Sequence, residues 1–372
     1  ETAHLMEVLR GGALAHFHPD RISDEDTLPV PEHFHDGSLG IRSNLQYTLR
    51  RAAGLGMRRS TFWNSPIDVQ LLPHRRREAP SSVSVDGHLV PCTIGNVRTQ
   101  LHNIAVTDGE AGASILEHPN AVQTALGVDM DIRVSTFGDS PLRPVLQRCG
   151  LVSRSVSLPT NADCNQPYLV ALRDNLVSVG RAHHVTVNEP VGFRFGGGSY
   201  ILLEPDEGGH KLIVDHQIEY PDIPPLGNQR MRVAMTPEFF SFIAAARTPA
   251  MRARAGILST IRHLGMSRFP YTSLGLSNVV LVTKRGVQNP NEKYVVNGRN
   301  YEPMCHELID RIGWLKFIET EFGGRFVGKI TLCRANHDRE IEAARALCKG
   351  DLLEQGSGVE KFIDVGTLEK AA

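Results

Sequence analysis

A histidine and an aspartate four residues apart, in His306-Glu-Leu-Ile-Asp310, are the strongest local signal for chemistry in this sequence. Residues at this spacing lie on one face of a helix, so an imidazole and a carboxylate there can bind one metal ion. Pro303 suits the first turn of that helix, and an apolar stripe follows it. The stripe consists of Met304, Leu308, Ile309, Ile312 and Leu315. The alternative is an ordinary hydrogen bond or ion pair on a helix surface, which is the commoner interpretation of such a pair taken alone.

Two further polar groups stand at the beginnings of predicted helices. Glu117 and His118 directly precede a helix opened by Pro119, where they could supply a general base and a metal ligand. Their alternative role is capping, since a carboxylate is favoured at the positive end of the helix dipole. His337 follows a predicted strand and begins another helix, so it could act as an acid or base, or serve only as a cap.

Two His-x-His pairs near the start of the chain offer a different metal site. They are His16 with His18 and His33 with His35, and each pair would lie on one side of a strand. If they hold the metal, deletion of residues 1–40 removes it.

The elements that must position these residues form two groups of strands and helices. The first half has predicted strands at 67–72, 83–90 and 130–134 and a helix at 119–126 that Gly127 ends. In the second half the glycines at 196–198 form a hairpin turn between two strands, and helices are predicted at 237–246, from about 303, and at 338–348. Residues 5–15 have the pattern of a short helix. Strands and helices grouped in this way predict an α+β fold.

The same patterns suggest a division of the chain. We expect an N-terminal appendage at 1–40, a first α+β domain at 41–150 and a second at 151–350. The second domain carries an insert around 240–275, and a C-terminal tail follows at 351–372.

Composition excludes several function classes. Of 372 residues, 40 are Lys or Arg and 41 are Asp or Glu, so a net charge of −1 gives no basic field for nucleic acid. The six cysteines form no C-x-x-C pair, which argues against a zinc ribbon or a disulfide framework. We find no apolar run long enough to cross a bilayer and no signal-peptide pattern. We therefore expect a cytoplasmic protein with no transmembrane segment, no nucleic-acid partner and an undetermined oligomeric state.

Short segments in a fixed order along the chain point to one family. They are Ala113-Ser-Ile-Leu-Glu117-His118, residues 130–134 with Phe137-Gly-Asp-Ser-Pro141, Ala246-Arg247-Thr248, Leu274-Gly-Leu-Ser-Asn278-Val-Val280, His306-Glu-Leu-Ile-Asp310-Arg-Ile-Gly313 and Arg334-Ala-Asn-His337. Together they resemble the UDP-3-O-acyl-N-acetylglucosamine deacetylases, the zinc enzymes of lipid A synthesis. The resemblance runs from about residue 54 to about residue 348.

The resemblance implies a role for each polar group that is ambiguous in isolation. His118, His306 and Asp310 would bind Zn²⁺ and leave a position open for water. Glu117 would be the general base for attack of that water on the amide. His337 would be the acid that protonates the leaving amine, or would stabilise the charge on the oxyanion. The Thr248 hydroxyl would donate to the oxyanion. The family fold is a two-domain β-α-α-β sandwich, in which each domain has a mixed sheet and a helix pair packed between the sheets.

Departures from the family pattern concern the substrate. The family's lysine after the first helix histidine is Glu307 here, and a carboxylate there repels a diphosphate. The aspartate that faces the acid histidine is replaced by Trp314. Pro249 to Met251 stand where the family has Phe-Gly-Phe near the acyl chain. The sequence thus predicts a divergent zinc amide hydrolase acting on an N-acylated amino sugar or a related small amide. The alternative is a degenerate relative that binds an acylated ligand or a partner protein.

Overall fold

The computed structural model describes most of the chain between residues 41 and 349. The described residues are 7–9, 41, 45–61, 65–74, 79–100, 103–137, 155–159, 164–206, 211–220, 223–224, 226–251, 278–349 and 363–367. The histidines at 16, 18, 33 and 35 lie outside them, as do residues 252–277, which hold most of the insert predicted around 240–275, and most of the C-terminal tail. No helix of the described residues is long and apolar enough to span a membrane.

Strands are short and numerous. In the first part of the chain they are β1 (Glu7–Leu9), β2 (Leu45–Leu49), β3 (Ala53–Arg59), β4 (Pro66–Pro73), β5 (Ser82–Val85), β6 (His88–Pro91), β7 (Val97–Gln100), β8 (Asn103–Thr107), β9 (Gly112–Ser114), β10 (Val128–Thr136), β11 (Ser155–Ser157) and β12 (Leu176–Arg181). The later strands are β13 (His183–Val187), β14 (Val191–Phe195), β15 (Ser199–Glu204), β16 (Leu212–Tyr220), β17 (Gly227–Ala234), β18 (Thr248–Met251), β19 (Val279–Thr283), β20 (Gly286–Val287), β21 (Val295–Val296), β22 (Arg299–Asn300), β23 (Arg325–Phe326), β24 (Gly328–Cys333) and β25 (Ile363–Thr367).

The α-helices of the described residues are α1 (Glu117–Leu126), α2 (Gln166–Leu172), α3 (Pro237–Ile243), α4 (Glu302–Gly313), α5 (Leu315–Phe322) and α6 (His337–Lys349). Single 3-10 turns occur at Gly196–Gly198 and Glu292–Tyr294.

Two large mixed sheets organise these elements. The first has the order β12-β2-β10-β4-β3, with β5 pairing to β10 and to β6; the second has the order β1-β14-β15-β24-β16-β17. In the first sheet β10 runs parallel to β2 and antiparallel to β4, and in the second β24 runs parallel to β16 and antiparallel to β15. The predicted α+β class is therefore confirmed.

Helices α1 and α4 lie between the two sheets. All ten residues of α1 are buried, and the helix contacts β10 on one side and α4 on the other. Helix α4 in turn contacts β16 and β17 of the second sheet. Apolar residues of both halves form one continuous core. Side chains of both sheets therefore pack against α1 and α4 and hold the two helices in place.

Several local predictions are confirmed with small shifts. Helix α1 ends at Gly127, whose φ of +62° is the left-handed cap that glycine adopts without strain. The glycines at 196–198 connect antiparallel β14 and β15. The apolar segment 83–90 is not one strand but the hairpin β5–β6, because Asp86 and Gly87 turn the chain with positive φ.

The predicted N-terminal helix is wrong for the residues that the structure describes. Glu7–Leu9 is an edge strand that pairs antiparallel with β14. Intrinsic helix propensity is a weak preference, and pairing of these three residues with the edge of the second sheet outweighs it.

Residues 155–181, which we expected to open the second domain, pair with the first half of the chain. Strand β11 runs parallel to β9, and β12 runs antiparallel to β2. The division of the chain into domains at residue 150 stays a prediction.

Candidate active site

A close crossing of α1 and α4 brings the predicted site residues together. At the crossing, a Cβ on Gly313 would lie 2.4 Å from the carbonyl oxygen of Glu117 and 2.8 Å from its Cα. Only glycine permits this approach, because the neighbouring atoms belong to backbone that cannot rotate away. The crossing places the first turn of α1, with Glu117 and His118, against the face of α4 that carries His306 and Asp310.

Two imidazoles and one carboxylate converge there. Nε2 of His118 lies 3.4 Å from Oδ1 of Asp310, and Nε2 of His306 lies 3.4 Å from Oδ2. The two rings meet edge to face with centroids 5.4 Å apart, and both are almost fully buried. Burial favours the neutral acid, but His306 and His118 outweigh it and hold the pKa of Asp310 well below its usual value.

His306 is oriented by the backbone behind it. Its Nδ1 lies 3.0 Å from the carbonyl oxygen of Ala246 and donates to it, because a carbonyl only accepts. In the neutral ring, which is the form that binds a metal, the lone pair is then on Nε2, the nitrogen that faces Asp310. Arg247 anchors the Ala246 segment through two hydrogen bonds to the buried Glu302, at 2.7 and 2.9 Å.

This donor set fits a divalent metal. Two nitrogen or oxygen ligands of a tetrahedral zinc ion, each about 2.0–2.1 Å from it, lie about 3.4 Å apart. A separation of 3.4 Å is long for a charge-assisted hydrogen bond, which is about 2.7–2.9 Å. Within the described residues Oδ1 of Asp310 is also buried without a hydrogen-bond partner. A buried carboxylate oxygen of this kind is costly unless a cation accompanies it.

A thiol that the sequence analysis did not select lies beside the same rings. Sγ of Cys164 is 3.8 Å from Nδ1 of His118 and 3.7 Å from Nδ1 of His306. Cys164, His118 and His306 together form a buried group able to hold a metal. Burial raises the pKa of the thiol, but the two imidazoles outweigh it and lower that pKa to about 7. No local motif marks Cys164, because it is 46 residues from His118 and 142 from His306.

Glu117 is a buried carboxyl next to this group. Its Oε2 accepts a hydrogen bond of 3.0 Å from the backbone N–H of Ile104. Burial raises the pKa of Glu117, although the charges of His337 and His118 act in the opposite direction. A carboxylate with a raised pKa is a stronger proton acceptor than an ordinary glutamate.

His337 is held by a carboxylate from its own helix. Nδ1 of His337 lies 2.9 Å from Oε2 of Glu340, which is fully buried. The other oxygen of Glu340 accepts from Arg311 at 2.5 Å, and Arg311 also donates to Glu307 at 3.0 Å. Burial lowers the pKa of His337, but the hydrogen bond and charge of Glu340 outweigh this effect and raise it. We call His337, Glu340, Arg311 and Glu307 the histidine–arginine chain.

Backbone strain is concentrated around these residues. Six non-glycine residues in the described part of the chain have positive φ, and three of them are Asp or Asn, which tolerate it in turns. The other three are Ile115 (φ +65°), Cys164 (φ +41°) and Arg334 (φ +48°). Ile115 lies two residues before Glu117, and Arg334 lies three residues before His337. Cys164 belongs to the group that it forms with His118 and His306. Such strain costs about 1–3 kcal/mol per residue and persists where the surroundings fix the conformation, often at functional sites.

Thr248 is the most weakly connected of the predicted site residues. It begins β18, is half-buried, and follows by two residues the Ala246 carbonyl that orients His306. Among the described residues no hydrogen bond joins its hydroxyl to the imidazoles.

Comparison with known families gives a match over most of the chain. A family model described as UDP-3-O-acyl N-acetylglycosamine deacetylase matches residues 62–349, which are most of the chain. The chain belongs to this family. No curated protein matches it in sequence.

Membership in the deacetylase family gives meaning to the departures from its motifs. Trp314, which replaces the aspartate facing the acid histidine, is fully buried at the break between α4 and α5. Glu340 supplies a carboxylate to His337 from α6 instead. Glu307, which replaces the lysine, is paired with Arg311 four residues later. Of the two replacements, only Glu307 belongs to the histidine–arginine chain.

Proposed function

We propose that this chain is a zinc-dependent amide hydrolase that removes the acyl group from an N-acylated amino sugar or a related small amide. The observation that carries the proposal is the convergence of His118, His306 and Asp310, with an unpartnered buried carboxylate oxygen, beside Glu117. Membership in a zinc-dependent deacetylase family supports the same chemistry. His118, His306 and Asp310 would hold the ion.

A bound metal, Glu117 and His337 would each have a separate role in amide hydrolysis. Zinc, when bound, supplies Lewis acidity that lowers the pKa of water and polarises an amide carbonyl. Glu117 accepts the proton of the attacking water, because burial raises its pKa and makes the carboxylate a stronger base. Glu340 raises the pKa of His337 and so favours its protonated form, which would give a proton to the leaving amine. The Thr248 hydroxyl is our candidate donor to the oxyanion.

We also propose that this chain acts on a different substrate from that of the family as a whole. A nucleotide diphosphate brings negative charge, and Glu307 offers a carboxylate where the family has lysine. Arg311 does not replace that lysine, because it is buried and both of its described carboxylate partners already use its charge. We therefore favour an N-acylated amino sugar or small amide without a diphosphate at this position.

The first experiment measures metal content by mass spectrometry in the wild type, His306→Ala and, as a control, His183→Ala. His183 is an exposed histidine in β13, away from the site. We expect about one zinc per chain in the wild type and the control, and none in His306→Ala. A wild-type protein purified and reconstituted without zinc uptake would refute the enzyme and favour a ligand-binding relative.

The second experiment compares substrates. Amine release is measured from UDP-3-O-acyl-N-acetylglucosamine and from N-acylated amino sugars that lack the diphosphate. We expect turnover of the second group and poor turnover of the first. Efficient hydrolysis of the nucleotide substrate would refute the changed specificity and leave the amide hydrolase intact.

A further inference from the structure

Cys164 is held in place by a built turn. It precedes α2, is 1 % exposed, and adopts a left-handed φ of +41°. The backbone N–H of Asn165 donates to Ala244 at 2.7 Å, and the N–H of Tyr168 donates back to Asn165 at 3.0 Å. The Asn165 bond ties the turn to the backbone at 244–246, and the carbonyl of Ala246 in the same segment orients His306. One backbone segment thus sets both the thiol and the imidazole.

The position of the thiol relative to the rings is that of a ligand. A nitrogen and a sulfur on one tetrahedral zinc ion, about 2.0–2.1 and 2.3 Å from it, lie about 3.6 Å apart. Sγ of Cys164 lies 4.0 Å from Nε2 of His118, the nitrogen that faces Asp310. One donor atom from each of Cys164, His118 and His306 lies within 4.8 Å of the others, a separation that side-chain rotation would have to shorten for all three to bind one ion. The unpartnered Oδ1 of Asp310 points to a cation in the same group independently of the thiol.

We propose that Cys164 is a fourth protein ligand of the metal at this site. The inference rests on the proposed function only in taking the ion to be the one held by His118, His306 and Asp310. None of the family motifs recognised in the sequence includes Cys164.

A fourth protein ligand changes what the site does at rest. Catalytic zinc sites keep a position open, whereas sites closed by four side chains are structural. With Cys164 bound, the fourth position would be filled, so turnover would require the thiolate to leave or the ion to accept a fifth ligand. A soft sulfur ligand also favours zinc over magnesium, calcium or manganese.

Cobalt substitution tests the proposal directly. Co²⁺ bound by a thiolate has a strong sulfur-to-metal charge-transfer band in the near ultraviolet, and Co²⁺ bound only by nitrogen and oxygen does not. The full chain is loaded with Co²⁺ as wild type, Cys164→Ser and Cys305→Ser. Cys305 is the matched control, since it is equally buried and adjacent to His306 but lies outside the metal-binding group.

We expect the band in the wild type and in Cys305→Ser and its loss in Cys164→Ser. Zn²⁺ affinity, measured by competition with a chelator, should fall at least about tenfold in Cys164→Ser, because even weaker outer-shell losses cost that much. Stoichiometric cobalt in the wild type without the band overturns the proposal and spares the proposed function, and this result needs no variant to fold. A wild type that binds no cobalt overturns both.

Discussion

The crossing of α1 and α4 makes the effect of Gly313→Ala a sharp test of the site. Alanine is the better helix former, so helix propensity alone predicts a gain in stability of up to about 1 kcal/mol. The structure predicts the opposite, since the added methyl would stand 2.4 Å from the carbonyl oxygen of Glu117, where ordinary contact begins at 3.4 Å. The two helices must therefore separate by about 1 Å.

Such a separation has two measurable consequences. Overpacking of this kind costs about 1–3 kcal/mol, which we expect as a lower free energy of unfolding in urea. Metal sites tolerate shifts of only about 0.2 Å, so moving His118 away from His306 and Asp310 should also weaken zinc binding about 10- to 100-fold. The control is Gly95→Ala, where the nearest atom to an added Cβ is 3.9 Å away. If Gly313→Ala keeps or gains stability and binds zinc as tightly as the wild type, the close crossing does not form the site.

Three further variants test the other elements of the site. Glu117→Gln should bind zinc normally and lose about 10²–10⁴-fold in kcat, and a near-normal rate would remove Glu117 as the base. Glu340→Gln should lower the pKa of His337, so the alkaline limit of the kcat/KM profile should move to lower pH. A uniform loss of rate at every pH would mean a purely structural role. Arg247→Ala removes the ion-pair partner of the buried Glu302 and should lower the free energy of unfolding in urea by about 3–5 kcal/mol. Arg247→Lys should lower it by less. An unfolding free energy equal to that of the wild type would contradict the anchoring role.

Sequence reasoning reached the parts of the structure that local patterns determine. The apolar stripe predicted α4, and Gly127 predicted the end of α1. No local pattern joins His118 to His306. Gly313 permits a close approach, but its sequence does not say which helix makes it. Only the family resemblance placed the two histidines at one site.

The contacts that were missed come from tertiary structure. Cys164 reaches the imidazoles from a turn with no motif of its own, and only folding of β11 and α2 against the first half carries it there. Glu340 could have been noticed, since it stands three residues after His337 on the same face of a helix. Glu7–Leu9 shows the reverse case, in which an open sheet edge outweighed a weak helical pattern.

The histidine–arginine chain limits how this protein can exchange residues with its relatives. Restoring lysine at position 307 alone would set a second cation beside Arg311, which is buried and shares its charge with Glu340. An aspartate in place of Trp314 would set a carboxylate into a fully buried position, which is costly unless a cation or hydrogen-bond donors accompany it. Positions 307, 311 and 340 are joined by ion pairs, so a lysine at 307 is expected to require a compensating change at 311 or 340.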